Sequence, residues 1–353
     1  MSDVIRVGIA GYGLAGRHFH APFIRLCDGL EVAAIFSRSD ERQAQARADF
    51  PEARVYGSYE DMLGDETIDL IVLATPHDVH EPMAVAALEA GKHVVTDKIM
   101  APDAAAAQRM LDAARRAGKM LSVYQNRRWD CDFLTARKAV ADGLLGQVWA
   151  VEIYLDGFRK PGPGWRWERA RGGGRFRDWG AHLFDQAMIF AGATSADDVE
   201  VWADWQYRYP EVDVETEVIT HLRFPSGLHY TIHISIQQRI ERWDRWIIGS
   251  EGTLLLKRID PQESFLRGDK IEVVAGTEKA KLPAENVQLV SDVPGAAERL
   301  EIVPGDWMAY WRNIADHLLR GAELAVKPEQ VIEAIKLIDK AAAFDPYLSR
   351  TSS

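Results

Sequence analysis

Three residues in this sequence have the types and spacing that acid–base and electrostatic chemistry require. Asp178 and His182 are four positions apart, so both side chains lie on one face if the segment is helical. A histidine titrates near neutrality and a neighbouring carboxylate can orient it, which suits proton transfer to or from an alcohol. Lys98 follows Asp97 at the end of a predicted strand, where an ammonium group can stabilise negative charge on a reacting oxygen. Lys98, Asp178 and His182 are therefore candidate catalytic residues; the alternative for Lys98 is a solvated lysine at the start of a loop, and for His182 a polar packing residue.

A glycine-rich run near the N-terminus predicts a dinucleotide-binding turn. Residues 11–16 read Gly-Tyr-Gly-Leu-Ala-Gly and lie between a predicted strand and a predicted helix. The first glycine permits a tight turn, the second lets the backbone approach a pyrophosphate, and the third allows close packing of helix on strand. The start of the helix supplies unpaired N–H donors. The predicted cofactor contacts in this turn are Gly11, Gly13, Leu14, Ala15 and Gly16.

The end of the second predicted strand bears on which dinucleotide is bound. An acidic residue at this place holds the ribose 2′-hydroxyl of NAD, but this sequence has Ser37 and Arg38. Arginine binds phosphate through bidentate, charge-assisted hydrogen bonds, so the pair favours the 2′-phosphate of NADP. NAD stays open, because Arg38 can also stack on the adenine that both dinucleotides contain.

The elements that must position these residues are predicted from the hydrophobic pattern. Up to about residue 123, short β-branched runs alternate with helical segments, a pattern typical of βα units on a parallel sheet. Continuous apolar runs suit strands that helices cover on both faces. We predict that residues 1–123 form a doubly wound Rossmann domain. Its predicted strands are Ile5–Ala10, Glu31–Phe36, Leu70–Ala74, His93–Thr96 and Met120–Val123.

Beyond residue 123 the pattern changes, and all 11 tryptophans lie in this part, from Trp129 to Trp311. Alternation in Thr231–Ile236 predicts an open, mostly antiparallel sheet with one covered face. We predict that residues 124–353 form an α+β domain that binds substrate, and that its last helix can pack back on the first domain. The predicted elements are helices near 130–142, 180–191, 306–320 and 329–343, a strand near 148–156, and an irregular loop near 157–177.

Composition excludes several functional classes. The 42 Lys and Arg residues against 53 Asp and Glu residues give a formal net charge of −11, which argues against a nucleic-acid or anionic-lipid surface. No apolar run approaches the roughly 20 residues of a membrane span, and no export signal is recognisable. Cys27 and Cys131, the only cysteines, lack the spacing of a zinc or redox site, and we predict no metal site. We predict a cytoplasmic protein that binds a small molecule, and neither nucleic acid nor a membrane.

Together these motifs resemble the glucose–fructose oxidoreductase / inositol dehydrogenase (Gfo/Idh/MocA) family, over nearly the whole chain. The motifs shared with the family are the glycine turn, Thr75-Pro76-His77-Asp78-Val79-His80, the run Glu89–Lys98, and Asp178-x-Gly180-x-His182 with Asp185. The segments that further resemble the branch containing NADP-dependent scyllo-inositol dehydrogenase are Phe19–Pro22, Asn126–Asp130, Trp165–Arg166 and Gly305–Tyr310.

The resemblance implies reversible oxidation of a ring hydroxyl to a ketone, and a homodimer or homotetramer formed through the open sheet. It implies that Lys98 holds the reacting oxygen, that His182 exchanges the proton, and that Asp178 orients His182. The further residues that it places at the cofactor are Thr75, Pro76, His80, Asp97, Lys98, Asn126, Trp165 and Arg166. The predicted substrate contacts are Asn126, Asp130, Tyr154, Asp178, His182 and Tyr310.

One departure from the family concerns the residue after the lysine. The family usually reads Glu-Lys-Pro at this place, and this sequence reads Asp97-Lys98-Ile99. The proline often carries a cis peptide bond that aims the lysine. The sequence therefore leaves the pose of Lys98 open.

The loop from Gly157 to Arg177 holds seven basic residues and one acid, Glu168. One interpretation is a flap that neutralises cofactor phosphates or an acidic or phosphorylated substrate, with Arg166 as the functional residue. The other interpretation is a solvated loop whose charges pair with acids elsewhere. The sequence leaves both open.

The sequence thus predicts an NADP-preferring oxidoreductase of cyclic polyols or sugars. One alternative is a dinucleotide-sensing protein without turnover, which the missing proline favours. The other is a reductase of a different carbonyl class, such as an anhydro sugar, a keto-sugar acid or an aromatic dihydrodiol. Retention of Lys98, Asp178 and His182 together favours an enzyme.

Overall fold

The computed structural model describes residues 4–257, 260–267 and 271–347, and they form two compact units. Unit 1 comprises Met1–Asn126, Ser264–Val273 and Trp307–Ile332, and unit 2 comprises Arg127–Glu263, Val274–Asp306 and Glu333–Ser353. Each unit is therefore assembled from three separate stretches of chain. The predicted domain boundary after residue 123 stays a prediction.

The described residues contain both strands and α-helices. The strands are β1 (Ile5–Ala10), β2 (Leu30–Phe36), β3 (Arg54–Tyr56), β4 (Leu70–Leu73), β5 (His93–Thr96), β6 (Leu121–Val123), β7 (Val148–Leu155), β8 (Glu200–Gln206), β9 (Glu217–Arg223), β10 (His229–Ser235), β11 (Arg245–Gly249), β12 (Gly252–Leu256) and β13 (Val287–Ser291). The α-helices are α1 (Ala21–Leu26), α2 (Asp40–Asp49), α3 (Tyr59–Leu63), α4 (His80–Glu89), α5 (Ala104–Ala117), α6 (Cys131–Ala141), α7 (Arg175–Ala191), α8 (Gln262–Leu266), α9 (Ala296–Arg299), α10 (Met308–Arg320) and α11 (Pro328–Ala342).

Unit 1 is built on a parallel six-stranded sheet in the order β3-β2-β1-β4-β5-β6. This is the doubly wound order of a Rossmann fold, so the predicted fold class is confirmed. Residues of β4 are fully buried, as its continuous apolar run predicts. The sequence analysis missed β3, because Arg54-Val55-Tyr56 is too short and too polar to give a strand pattern.

Helices in unit 1 begin and end at residues that suit these positions. Ser39 caps α2, where its hydroxyl oxygen accepts a hydrogen bond from the Arg42 N–H at 3.4 Å. Asp103 caps α5 in the same way through the Ala106 N–H, at 2.7 Å. Gly118 ends α5 with a φ of 62°, a conformation that glycine adopts without strain.

Helix α10 belongs to unit 1 although it lies far along the chain. The ring of Trp307, just before α10, lies 6.0 Å from that of Phe19 and 6.4 Å from that of Phe23. Trp311, on α10, packs its ring 5.6 Å from the Tyr124 ring and is fully buried. These aromatic contacts fix α10 against the start of the chain.

Unit 2 is built on a seven-stranded sheet in the order β13-β12-β11-β7-β10-β9-β8. Its neighbouring strands are antiparallel except for β7 and β10, which are parallel, so the prediction of a mostly antiparallel sheet is confirmed. Val151, Ile153 and Leu155 of β7 are buried, whereas Glu152 and Tyr154 between them are partly exposed. This alternation gives the sheet one covered face and one open face.

The helix that carries the predicted catalytic pair starts earlier than predicted. Helix α7 begins at Arg175, inside the segment expected to be irregular, rather than near residue 180. Its first turn is held by Glu215, whose carboxylate accepts a hydrogen bond from the Phe176 N–H at 2.7 Å. A Cβ on Gly174 would collide with this carboxylate, so a glycine at this position leaves space for the Glu215 side chain. The cap is supplied by a residue distant in sequence, which local patterns do not reveal.

The other elements predicted in the second half are present. The structure confirms the helices near 130–142, 306–320 and 329–343 as α6, α10 and α11, and the strand near 148–156 as β7. In the ranges 4–257, 260–267 and 271–347, no helix combines the length and hydropathy that a membrane crossing requires.

Candidate active site

The glycine turn contains two positions that exclude any side chain. Gly11 has a φ of +103°, and a Cβ there would overlap the Ala74 carbonyl oxygen. A Cβ on Gly16 would likewise overlap the carbonyl oxygen of Gly11. At Gly13, by contrast, the nearest atom to a Cβ would be a guanidinium nitrogen of Arg42, 3.5 Å away. The first and third glycines are therefore fixed by packing, and the second leaves its backbone open to a ligand.

Thr75, at the end of β4, has a buried hydroxyl that points to a bound group. Its Oγ1 has no hydrogen-bond partner among the described residues. Its methyl carbon would lie 3.4 Å from a Cβ on Gly11, so Thr75 sits beside the glycine turn. An unsatisfied buried polar group costs about 1–3 kcal/mol, which a polar ligand at this place would relieve. The residues present therefore fit a dinucleotide.

Three polar residues, Ser37, Arg38 and Arg42, follow β2 in the chain. Ser37 is buried, and its hydroxyl oxygen accepts a hydrogen bond from the Ser39 N–H at 3.2 Å, whereas Arg38 is exposed. Arg42 lies in the first turn of α2 with its guanidinium near Gly13. The sequence analysis missed Arg42, although its spacing of four from Arg38 is the available signal. Both arginines are candidates for phosphate contacts.

The main chain at Lys98 is anchored by Asp97 and His20. One carboxylate oxygen of Asp97 accepts a hydrogen bond from the Lys98 N–H at 2.8 Å, and the other lies 3.5 Å from Nε2 of His20. Burial opposes ionisation of Asp97, but His20 and the Lys98 ammonium hold its pKa well below its usual range. His20 is fully buried, and the sequence analysis gave it no role of its own. The available signal was the Phe19–Pro22 motif.

The backbone beyond Lys98 is held by His80. The Lys98–Ile99 peptide bond is cis. Nδ1 of His80 lies 2.8 Å from the Ile99 carbonyl oxygen, and Nε2 lies 3.0 Å from that of Thr75. Burial lowers the pKa of His80, which favours the neutral ring. Both ring nitrogens face main-chain carbonyls, of which a neutral ring donates to one, and His80 lies between the ends of β4 and β5.

In unit 2, Asp178 and His182 lie one turn apart on α7, as predicted. His182 is 3% exposed and the Asp178 side chain is 18% exposed, so Asp178 is the more accessible of the two. Nε of Arg166 lies 3.8 Å from a carboxylate oxygen of Asp178. Arg166 and Trp165 both belong to the short helical turn Trp165–Trp167. The arrangement can orient an imidazole beside a carboxylate.

Helix α7 is tied to the segment before α6 by buried polar groups. Arg128 makes two hydrogen bonds with Asp185, at 2.7 and 2.8 Å. The Gln186 amide donates to the Arg127 carbonyl oxygen at 2.7 Å and accepts from Arg245 at 2.8 Å. Bidentate, buried bonds of this kind fix geometry, so the pose of α7 is set by residues outside the helix.

Asp130, Tyr310 and Tyr154, which are among the six predicted substrate contacts, bond to other protein groups. Asp130 is fully buried and accepts from Arg127 at 3.0 Å, and the Tyr310 hydroxyl donates to Ser122 at 3.1 Å. Tyr154 donates to Glu152 at 2.5 Å, and burial together with this carboxylate raises the pKa of Tyr154 to about 12. Asn126, another of the six, is buried at the end of the first stretch of unit 1. Their roles toward substrate stay predictions.

The basic loop is partly paired. Arg169 makes an ion pair with Asp345 at 2.9 Å, and its main-chain N–H donates to the Asp213 carboxylate at 2.8 Å. For Arg169 the structure thus supports the interpretation that loop charges pair with acids elsewhere. In the described part of the chain, no group of three or more His, Cys, Asp or Glu side chains is suited to a metal ion.

The buried cap of α7 predicts how stability depends on pH. Burial raises the pKa of Glu215 from 4.5 to about 7. Between these values the folded chain holds a proton that the unfolded chain has released, so stability falls as the pH rises through this window. We expect Glu215→Gln, whose amide oxygen still accepts from Phe176, to reduce this fall. Thermal unfolding at about pH 5 and about pH 8 measures it.

The matched control for this prediction is Glu211→Gln, since Glu211 is an exposed acid in the same loop. It should keep the pH dependence of the unmodified protein. Equal pH dependence in the two variants would contradict a buried, protonated Glu215.

A Rossmann sheet with a glycine turn, joined in one chain to an α+β unit that carries an aspartate and a histidine on one helix, defines a dinucleotide-dependent oxidoreductase. The comparisons narrow this class. Residues 5–125 match the oxidoreductase family with an NAD-binding Rossmann fold, GFO/IDH/MocA, and residues 133–255 match the GFO/IDH/MocA C-terminal domain. The chain belongs to the Gfo/Idh/MocA family, as the sequence motifs predicted.

Individual relatives agree with this assignment. The uncharacterized oxidoreductase YdgJ of Escherichia coli is 35% identical over 96% of each chain. The scyllo-inositol 2-dehydrogenase (NADP(+)) IolW of Bacillus subtilis is 31% identical over 96% of this chain and 93% of that protein. A solved structure, the putative oxidoreductase yvaA of Bacillus subtilis, superposes with a TM-score of 0.84 at 28% identity over 99% of this chain and 97% of that one. The chain is thus an NAD(P)-dependent dehydrogenase or reductase.

Proposed function

We propose that this protein interconverts a ring hydroxyl and a ketone on a cyclic polyol or sugar, with a preference for NADP. The observation that carries the proposal is the pair Asp178 and His182, one turn apart on a helix fixed by buried polar bonds. The likeness to IolW supports both the substrate class and NADP.

The protein residues act by position and electrostatics. His182 takes the hydroxyl proton during oxidation and returns it during reduction, while Asp178 orients the imidazole. Lys98 donates a hydrogen bond to the reacting oxygen and stabilises its developing negative charge. The nicotinamide, when bound, accepts or supplies the hydride.

The cofactor is held mainly by residues of unit 1. The glycine turn and the start of the following helix bind the pyrophosphate, and Thr75 donates its free hydroxyl beside it. Ser37, Arg38 and Arg42 bind the 2′-phosphate. The further proposed contacts are Pro76, His80, Asp97, Lys98, Asn126, Trp165 and Arg166.

The experiment that tests the function is nicotinamide absorbance with purified protein and a panel of inositols, inososes, aldoses, sugar acids and anhydro sugars, with each dinucleotide. We expect turnover with one polyol or sugar class and NADP. Tight NADP binding without turnover of any compound would overturn the proposal and favour a sensing protein.

Removing the guanidinium at Arg38 is expected to change cofactor preference. Because Arg38 loses a charge-assisted bond to the 2′-phosphate, Arg38→Ala should raise the KM for NADP by about ten- to a hundredfold and change that for NAD little. Steady-state kinetics with both dinucleotides measure this. Arg47→Ala, which removes an exposed arginine from the last turn of α2, is the control. An equal effect of Arg38→Ala on both dinucleotides would defeat the assignment.

Two further expectations stay predictions. The open face of the unit 2 sheet includes the row Trp202, His221 and Thr231, in which Trp202 is 51% exposed and stacks on His221. An exposed aromatic face of this kind supports the predicted homodimer or homotetramer. The predicted cytoplasmic location rests on the sequence alone.

A further inference from the structure

Helix α7 carries a third polar residue on the face of Asp178 and His182. Arg175 is three positions before Asp178 and seven before His182, so the three side chains project from one stripe of the helix. Arg175 is partly buried. Nothing in the mechanism proposed above uses its charge.

Arg175 has no carboxylate within ion-pair distance among the residues that the structure describes. Its Nη1 donates to the Ser235 carbonyl oxygen at 3.1 Å. The same nitrogen would lie 3.5 Å from a Cβ on Gly157, so the guanidinium reaches the start of the basic loop. Its direct hydrogen-bond partner is therefore a main-chain carbonyl oxygen rather than a carboxylate.

The nearest acids are engaged by other groups. Asp156 makes two hydrogen bonds with Arg242, at 2.7 and 2.8 Å. Glu215 accepts from the Phe176 N–H, and burial raises its pKa to about 7, so it is only partly charged near neutrality. Asp178, on the same stripe, lies 3.8 Å from Arg166. None of these acids makes an ion pair with Arg175, although the negative charges of Asp178, Asp156 and Glu215 favour its charged form from a distance.

A second arginine increases the local positive charge. Burial, and then the like charge of Arg159, lower the pKa of Arg175 to about 10. Arg159 is exposed and makes no ion pair among the described residues. Two like charges held near each other, one of them partly buried, are unfavourable unless an anion joins them. Arg169 in the same loop differs, because Asp345 neutralises it.

We propose that Arg175, together with Arg159, binds an anionic group on the ring substrate, which is therefore a sugar or cyclic polyol that carries a carboxylate or a phosphate. This inference rests on the proposed function, because it names the substrate class of the same site. A helix rises 1.5 Å per residue, so Arg175 and His182 are about 10 Å apart along α7.

The anionic group contributes to binding only and is unchanged by the reaction. During oxidation the ring carbon loses its hydrogen with two electrons to the oxidised nicotinamide, and the hydroxyl loses its proton to His182. The carboxylate or phosphate keeps its charge throughout. Its recognition is geometric and electrostatic, as for other arginine–anion pairs.

Binding calorimetry on the NADP-saturated protein tests the inference with matched ligands: a neutral hexose, the corresponding hexuronate and the corresponding hexose phosphate. We expect one charged ligand to bind about ten- to a hundredfold more tightly than the neutral one, the range for a charged hydrogen bond. Tighter binding of the hexuronate would identify a carboxylate site, and tighter binding of the hexose phosphate would identify a phosphate site. Equal affinity of all three ligands, or failure of both charged ligands to bind, would overturn the inference.

Variants separate recognition from folding. Arg175→Gln should abolish the preference for the charged ligand, Arg175→Lys should retain part of it, and Arg171→Gln, an exposed arginine of the same loop, should leave it intact. Unchanged preference in Arg175→Gln would refute the role of Arg175. A weaker affinity of that variant for NADP itself would refute it too, by assigning the arginine to the cofactor.

Turnover measured in parallel separates this inference from the proposed function. Oxidation of neutral rings without any anionic preference sinks the inference and leaves the function standing. Binding of the charged ligand that depends on Arg175 without turnover of any ligand sinks the function and leaves the anion site standing.

Discussion

Replacing His182 by alanine is expected to lower kcat by about 10²- to 10⁴-fold, the usual contribution of a general acid–base group. The hydroxyl proton then has no acceptor at the reacting oxygen, while the glycine turn and Thr75 are unchanged. The KM for NADP should therefore stay within a few-fold of that of the unmodified protein. Steady-state kinetics with the substrate found in the panel, over a range of pH, measure both quantities.

His229→Ala is the matched control for this experiment. His229 is exposed at the start of β10, away from α7 in sequence. It should have normal kinetics, so that kcat falls only in His182→Ala. Near-normal turnover in His182→Ala would remove the histidine from the mechanism.

Replacing Lys98 by methionine is expected to lower kcat by about 10²- to 10³-fold, as for the loss of one donor to a developing oxyanion. Methionine keeps most of the side-chain volume and removes the charge. Because the Lys98 main chain is anchored through its N–H to Asp97, the fold around the residue should survive. Stopped-flow measurement of the hydride-transfer step reports the effect directly.

Two comparisons make the Lys98 experiment decisive. Lys119→Met, which changes a lysine just after α5, should leave turnover unchanged. The melting temperature of Lys98→Met should match that of the unmodified protein. Full activity in this variant would exclude a role for the ammonium group, and a large fall in melting temperature would assign Lys98 a structural role instead.

The sequence predicted most of the fold because its elements have strong local patterns. The buried run of β4 and the strands β1 and β5 stand where the hydrophobic pattern places them. The predicted secondary structure was wrong where contacts between residues distant in sequence determine whether an element forms or where it begins. The early start of α7 depends on the Glu215 cap, and β3 forms only because β2 pairs with it.

The candidate site divides in the same way. The glycine turn and the pair Asp178 and His182 follow from spacing within one element, so sequence reasoning found them. His20 beside Asp97 brings together residues far apart in the chain. The isolation of Arg175 from carboxylates is likewise a property of several neighbouring segments. Contacts of this kind depend on the three-dimensional structure, so counting the charges in a loop does not predict them.

The discontinuity of unit 1 has a consequence for how the family diversifies. Phe19 and Phe23 pack against Trp307, which belongs to the same unit but follows most of unit 2 in the chain. A gene recombination that exchanged only the first 126 residues between relatives would combine Phe19 and Phe23 of one protein with the Trp307 region of another. The first 126 residues thus do not form a complete, exchangeable domain. Point substitutions near Arg38 are a more direct way to change dinucleotide preference than exchange of this segment.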